Sequence, residues 1–119
     1  MVIDHNGKYL EPVPVSDPAF AAPLRLLDNG RTWVKLSAPY ETSKVGPPYA
    51  DVGALARALA ASHPERCVWA SNWPHPGIKP PLPSNALMLD LLSDWAPDPS
   101  MRKRILVDNP ARLYGFDAT

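Results

Sequence analysis

Three polar side chains that could carry chemistry stand directly after short apolar runs. His5 follows Met1–Asp4, and Asn72 and His75 follow Arg66–Ala70. A neutral imidazole can accept a proton, donate one or bind a metal ion, whereas a carboxamide can only orient water or substrate by hydrogen bonds. A lone histidine at the end of a strand is more often structural, so a second argument is needed before these residues are called catalytic.

Four further residues could bind a substrate. Ser37 and Tyr40 follow another run of β-forming residues and can donate hydrogen bonds to a carbonyl or carboxylate. Lys8, just beyond His5, could attract a carboxylate, although exposed lysines usually have only solvent around them. The indole of Trp73 borders the last loop, where packing is its more common role.

Three predicted strands position these residues at Met1–Asp4, Thr32–Ser37 and Arg66–Ala70. Each strand is followed by a loop and then by a helical pattern, which predicts parallel β/α units. In such units ligand sites form beyond the carboxyl ends of the strands, where the candidate side chains lie. We therefore expect one α/β domain over residues 1–119.

The predicted helices have recognisable start and stop signals. The first has Ser16 or Asp17 as its cap, and Pro23 is a misfit within it because proline lacks an N–H. Asp51 is the expected cap of the second helix, and Ser84 begins the third. The predicted ranges are Pro18–Asp28, Val52–Ser62, Ser84–Trp95 and Pro99–Val107, with a last turn opened by Asn109 and Pro110.

Composition narrows the class of partner. The 119 residues include 12 acidic and 12 basic side chains, and neither nucleic acid nor an anionic membrane is favoured by that balance. No stretch approaches the roughly 18 apolar residues of a membrane span. The single cysteine, Cys67, cannot form an intramolecular disulfide and is expected to pack in the core. We expect a cytoplasmic protein that binds a small molecule.

Four segments together resemble a known family. They are Val2–Gly7, Trp33–Tyr40, Trp69–Pro76 and Ile105–Phe116. In order and spacing they are similar to the amidohydrolase-related hydrolases (amidohydrolase family 2), the group that includes the 2-pyrone-4,6-dicarboxylate lactonases. The resemblance implies the C-terminal three β/α units of a (β/α)8 TIM barrel, an apparently partial barrel whose first five units, with their His-x-His pair, lie outside this sequence.

The same resemblance assigns roles and reveals two departures. It places His5 at the barrel mouth, and it places Asn72 where relatives commonly carry an aspartate that activates water. A carboxamide is not basic enough for that task, so the base is His5 or His75, or the chemistry differs. Glu41 stands where several relatives have an arginine, which makes a doubly charged dicarboxylate a doubtful substrate.

The activity implied by the resemblance is hydrolysis of a lactone or related C–O ester in a small carboxylated substrate. One alternative is a catalytically silent truncated fragment, or a split-barrel partner that self-associates or pairs with a complementary half-barrel. Another is a decarboxylase or hydratase on the same scaffold. Divalent metals occur in the superfamily, but with Asn72 in place of aspartate and no Cys/His cluster, no metal or other cofactor is expected.

Overall fold

A parallel β-sheet lies at the centre of the structure, a computed structural model that describes residues 1–7, 12–79 and 81–116. Its strands are β1 (Val2–Ile3), β2 (Trp33–Leu36) and β3 (Cys67–Trp69), in the order β1-β2-β3. Val2 pairs with Trp33 and Leu36 pairs with Trp69. The three predicted strands are confirmed, each in a shorter form.

Helices follow the strands as the sequence predicts. Their bounds are α1 Pro18–Leu27, α2 Ala50–Ser62, α3 Asn85–Trp95, α4 Pro99–Lys103 and α5 Asn109–Tyr114. The predicted cap Asp17 is confirmed, because its carboxylate accepts a hydrogen bond from the Ala19 N–H at 2.8 Å. Ser84, the predicted first residue of the third helix, is instead its cap, and its hydroxyl accepts a hydrogen bond from the Ala86 N–H at 3.1 Å. Each cap satisfies a backbone donor that has no partner within its helix.

Pro23, which lacks the N–H that a helix interior needs, lies within α1. The helix continues through Pro23 to Leu27. Phe20 and Leu27 are both buried, and their packing offsets the one backbone hydrogen bond that proline cannot donate.

Helix α2 begins two residues earlier than predicted, and the expected cap has another role. The helix starts after Tyr49, whose φ is 60°. The Asp51 carboxylate accepts hydrogen bonds from the Ser43 hydroxyl at 2.7 Å and the Lys44 N–H at 2.8 Å. Burial acts to raise the pKa of Asp51, but these bonds and one from the Val52 N–H outweigh it and lower the pKa. Asp51 therefore holds the loop before α2.

The C-terminal segment is helical across the predicted break. A π-helical turn at Arg104–Asp108 joins α4 to α5, and within it the Asn109 N–H bonds to the carbonyl of Arg104. Pro110 cannot donate to the usual carbonyl four residues back, and a π turn accommodates such a missing donor. The last turn predicted at Asn109 and Pro110 is α5, which follows the preceding helix without a break.

The Asn109 side chain ties this segment to the sheet. Its amide donates to the carbonyls of Pro64 at 2.6 Å and Cys67 at 2.8 Å, and Asn109 is 2% exposed. A buried carbonyl without a donor destabilises a fold, so these two bonds fix the closing helix against the start of β3.

The core lies between the sheet and the helices. Val34, Leu36 and Cys67 pack there with apolar side chains of α1, α2 and α3. Cys67 is fully buried, as predicted, and burial raises the pKa of its thiol to about 12. Trp69 also packs, with its indole N–H donating to the carbonyl of Met88 at 3.3 Å.

The alternate side chains of the strands point to the other face of the sheet. On that face Lys35 forms an ion pair with Asp4 at 3.4 Å, and both side chains are partly exposed. Within the described parts of the chain, no helix has both the length and the apolar character needed to cross a membrane.

Candidate active site

The backbone adopts left-handed conformations where the strands end. These residues are His5 (φ 51°), Asn6 (φ 57°), Ala38 (φ 45°), Asn72 (φ 63°) and His75 (φ 59°). For residues other than glycine this region costs about 1–3 kcal/mol, and such residues cluster at functional sites. The carboxyl end of the sheet is therefore the place to look for a site.

Four side chains form a continuous series of hydrogen bonds at the end of β2 and β3. The Asn72 amide donates to the Tyr40 hydroxyl at 2.9 Å, and the Tyr40 hydroxyl lies 2.7 Å from Nδ1 of His75. Nε2 of His75 lies 3.1 Å from Oδ1 of Asn85. We call Asn72, Tyr40, His75 and Asn85 the polar series.

The partners determine the direction of each bond in the polar series. The Asn85 oxygen can only accept, so Nε2 of His75 carries a proton. In the neutral ring Nδ1 is then an acceptor, and the Tyr40 hydroxyl donates to it while its oxygen accepts from Asn72. Both ring nitrogens of His75 are engaged.

Burial supports a protonated Tyr40. Desolvation raises the pKa of the Tyr40 phenol, the hydrogen bond from Asn72 opposes that rise, and the nearby charges of Glu41 and Tyr49 add to it. The rings of Tyr40 and His75 meet edge to face, 5.5 Å apart at an interplanar angle of 74°, and His75 is 3% exposed. The phenol therefore remains a hydrogen-bond donor at neutral pH.

A second group lies at the end of β1. Nδ1 of His5 lies 3.2 Å from the Ser37 hydroxyl, and the Asn6 amide donates to the Ser37 carbonyl at 3.0 Å. Asn6 is 3% exposed, and its Oδ1 has no hydrogen-bond partner among the described residues. The group joins β1 to the tail of β2 and holds the His5 ring in place.

The predicted site residues thus fall into two groups and two outliers. Asn72, Tyr40 and His75 come together in the polar series, and His5 and Ser37 form the second group. Trp73 is 71% exposed in the loop after β3, and Lys8 lies outside the described residues.

Two asparagines of the site were not singled out from the sequence. Asn6 precedes Gly7, and its ability to adopt positive φ was the available signal. Asn85 follows the helix cap Ser84, and its contact with His75 depends on the path of the intervening loop. No local sequence pattern predicts the contact of Asn85 with His75.

The donor groups of the described residues do not by themselves form a metal site. Among the residues that the structure describes, no group of three or more His, Cys, Asp or Glu is placed to hold one. Tyr40 and Asn85 occupy both nitrogens of His75, which leaves no lone pair for coordination. We therefore derive no chemical step through a metal.

Comparison with known proteins identifies the relatives of this chain. The sequence profile of the amidohydrolase family matches residues 1–116. A D-galactarolactone isomerase from Agrobacterium fabrum is 42% identical over 115 residues, which are 95% of this chain and 39% of the relative. A 2-pyrone-4,6-dicarboxylate hydrolase from Comamonas testosteroni is 33% identical over 123 residues, with 96% of this chain and 40% of the relative covered.

A solved structure agrees with these matches. The apo crystal structure of a protein from Agrobacterium tumefaciens superimposes with a TM-score of 0.91 at 41% identity, covering 98% of this chain and 42% of that one. The chain therefore spans about two fifths of the length of the relatives that it matches.

Proposed function

The chain belongs to the amidohydrolase family, and from this premise we propose that it forms the C-terminal part of an enzyme acting on the C–O ester bond of a small carboxylated lactone. The polar series at the strand ends is the observation that carries the proposal. It is supported by relatives that are a lactone isomerase and a pyrone dicarboxylate hydrolase. The resemblance predicted from the four segments is confirmed at the level of the family.

In this proposal His5 accepts the proton of the attacking hydroxyl. Its Nδ1 faces Ser37, while its Nε2 has no hydrogen-bond partner among the described residues and is available to a substrate. His75 is buried and engaged at both nitrogens, so it can reach a substrate only through Tyr40. His5 is therefore the better base of the two histidines.

Asn72 supplies hydrogen bonds rather than basicity. A carboxamide carries two N–H groups, and Tyr40 receives one of them. We assign the other to the lactone carbonyl oxygen, where negative charge develops during attack. Tyr40 and His75 hold the Asn72 amide in position for that contact.

The attacking group distinguishes two related reactions. In hydrolysis water attacks the lactone carbonyl, whereas in isomerisation another hydroxyl of the same substrate attacks and closes a new ring. Both break one C–O bond and form another, and the leaving ring oxygen takes the proton that His5 accepted from the attacking group. Asn72 stands where an aspartate would activate water, and the isomerase is 42% identical, so we propose isomerisation as the second candidate.

A lactone panel tests the proposal. The 119-residue chain is assayed alone and together with the part of the Agrobacterium fabrum isomerase that it does not cover, in ¹⁸O-labelled water. Incorporation of ¹⁸O into the carboxylate of a ring-opened product indicates hydrolysis, and unlabelled conversion of one lactone into another indicates isomerisation. Loss of CO₂, or ¹⁸O in a new hydroxyl at a former double bond, indicates the decarboxylase or hydratase alternative. The proposal fails if no lactone is converted in either setting.

Variants assign the residues. We expect His5→Gln to lower turnover about 10²–10⁴-fold and Asn72→Ala to lower it about 10²–10³-fold. Asn72→Asp should increase the share of hydrolysis. His63→Gln is the matched control, because Nε2 of His63 lies 2.6 Å from Oδ1 of Asp28, outside both groups of the site. Equal losses in His5→Gln and His63→Gln would remove His5 from the mechanism.

The alternative to an enzyme is a catalytically silent fragment or split-barrel partner. Within the described residues β1 and β3 each pair with β2 alone, so each has an edge that can pair with further strands. If the chain pairs with itself or with a complementary half-barrel, size-exclusion chromatography will show association. A stable monomer that is unaffected by the complementary part would contradict pairing.

We further propose that the reaction requires no metal ion or other cofactor. The engagement of both His75 nitrogens supports this view. Activity should survive treatment with a chelator, and stoichiometric zinc or manganese in the purified protein would overturn the proposal.

A further inference from the structure

Asn85 occupies an unusual position for a residue that contacts a buried histidine. It is the first residue of α3, and Ser84 before it already caps the helix through the N–H groups of Ala86 and Leu87. Its side chain is therefore not needed to satisfy the start of the helix. Instead its Oδ1 meets Nε2 of His75 at 3.1 Å.

The contact falls on the ring nitrogen that Tyr40 does not reach. A neutral imidazole carries one proton, and the group that accepts at one nitrogen decides where that proton resides. His75 is 3% exposed, so water cannot readily replace a missing partner at Nε2. The Asn85 carbonyl therefore stabilises the form with the proton on Nε2.

We propose that Asn85 is a positioning residue that sets the tautomer of His75 and, through it, the direction of every hydrogen bond in the polar series. The inference rests on the proposed function for its catalytic meaning, because it concerns the same site. With the proton on Nε2, the Tyr40 hydroxyl donates to Nδ1 and its oxygen remains free to accept from Asn72.

Without the Asn85 acceptor, the hydrogen bond between Tyr40 and His75 would change direction. A proton on Nδ1 would be donated to the Tyr40 oxygen, and the Tyr40 proton would have to turn to another acceptor. The Asn72 amide would then compete with His75 for the same oxygen, and its placement for the substrate carbonyl would be lost. A contact at the start of α3 thus controls an amide at the end of β3.

Nitrogen NMR of the histidine rings tests the inference without a substrate. The full 119-residue chain contains three histidines and is labelled with ¹⁵N-histidine. Spectra are recorded at about pH 8.5, roughly two units above the usual histidine pKa. The His75 signals are identified as those missing in His75→Gln. We expect the directly protonated nitrogen to be Nε2.

Three variants separate positioning from a merely structural role. Asn85→Leu should shift the tautomer ratio of His75 roughly fivefold toward the Nδ1–H form, the effect of losing one net hydrogen bond. Asn85→Asp retains an acceptor and should preserve the Nε2–H form. Ser84→Ala weakens the start of α3 without touching His75, and should leave the ratio unchanged.

The result that overturns the inference is an Nδ1-protonated His75 in the unmodified chain, or an unchanged ratio in Asn85→Leu while the His5 and His63 signals show an intact fold. If Asn85→Leu does not fold, loss of the Nε2–H form in Asn85→Asp overturns it equally. Absence of lactone turnover with the expected tautomer contradicts the proposed function alone, so the two failures can be told apart.

Discussion

Replacing Tyr40 by phenylalanine removes one hydroxyl and breaks two hydrogen bonds of the polar series. The first is the bond to Nδ1 of His75 at 2.7 Å, and the second is the bond from the Asn72 amide at 2.9 Å. The aromatic ring and its edge-to-face contact with His75 are retained. The change therefore isolates the hydroxyl.

The burial of His75 and of Asn72 determines how much the substitution lowers the free energy of unfolding. His75 is 3% exposed, so its Nδ1 would be left as a buried acceptor without a donor, at a cost of about 1–3 kcal/mol. Asn72 is only partly buried and can recover a bond to water, which reduces its share. We expect the free energy of unfolding to fall by about 2 kcal/mol, and the Tm by roughly 8 °C for a domain of this size.

The assay is urea and thermal unfolding of the 119-residue chain at several protein concentrations, which separates folding from association. Tyr114→Phe is the matched control, because Tyr114 is 53% exposed and its hydroxyl has no hydrogen-bond partner among the described residues. It should change stability by less than about 0.5 kcal/mol. If Tyr40→Phe is as stable as Tyr114→Phe, the polar series is not formed as described.

Three further predictions concern groups outside the polar series. Asp51→Asn should destabilise the chain by about 1–3 kcal/mol at neutral pH, because it weakens the charged hydrogen bonds that hold the loop before α2. The pKa of Asp51 is lower in the folded state than the unfolded value of about 3.9. Its contribution to stability is therefore present above that unfolded value and is lost as the pH falls through the folded pKa. The unfolding curves of Asp51→Asn and the unmodified chain should converge in acid. Asn109→Leu should cost about 2–4 kcal/mol in the same assay, since the carbonyls of Pro64 and Cys67 both lose their donor, and a loss below 1 kcal/mol would contradict that reasoning. Cys67 is fully buried with a pKa of about 12, so a thiol reagent at about pH 8 should modify it only after unfolding; rapid modification of the folded chain would refute its burial.

The fold was predictable where local chemistry has one outcome. Ser16 or Asp17 was predicted as a helix cap, and Ser84 as the start of a helix. Asp17 and Ser84 both accept from backbone donors of the helices they precede. Asp51 was predicted in the same way and was wrong, because a carboxylate near a helix start can equally accept from a preceding loop. The local sequence does not determine whether such a carboxylate caps the helix or accepts hydrogen bonds from the loop before it.

The continuity of the C-terminal helices was not predicted, for a related reason. Pro110 is an ordinary signal for a break, but a π turn allows a helix to pass it when tertiary contacts favour continuity. Those contacts include the bonds of Asn109 to carbonyls 42 and 45 residues away. Separations of that size are not visible in a local pattern.

The residues of the candidate site could be predicted better than the hydrogen bonds that connect them. His5, Tyr40, Asn72 and His75 were chosen because they follow strands and match family positions, and the structure joins three of them directly. Asn85 was missed because its contact with His75 crosses ten residues of loop.

The polar series also has a modular construction. Asn72, His75 and Asn85 all lie in or just beyond the loop after β3, and among the described residues their side-chain hydrogen bonds reach the rest of the site through the single hydroxyl of Tyr40. A segment from Asn72 to Asn85 could therefore be exchanged between relatives as a cassette, provided that the recipient retains a tyrosine at the matching position. Loop grafting of this kind would exchange Asn72, His75 and Asn85 while the β1 side of the site stays unchanged.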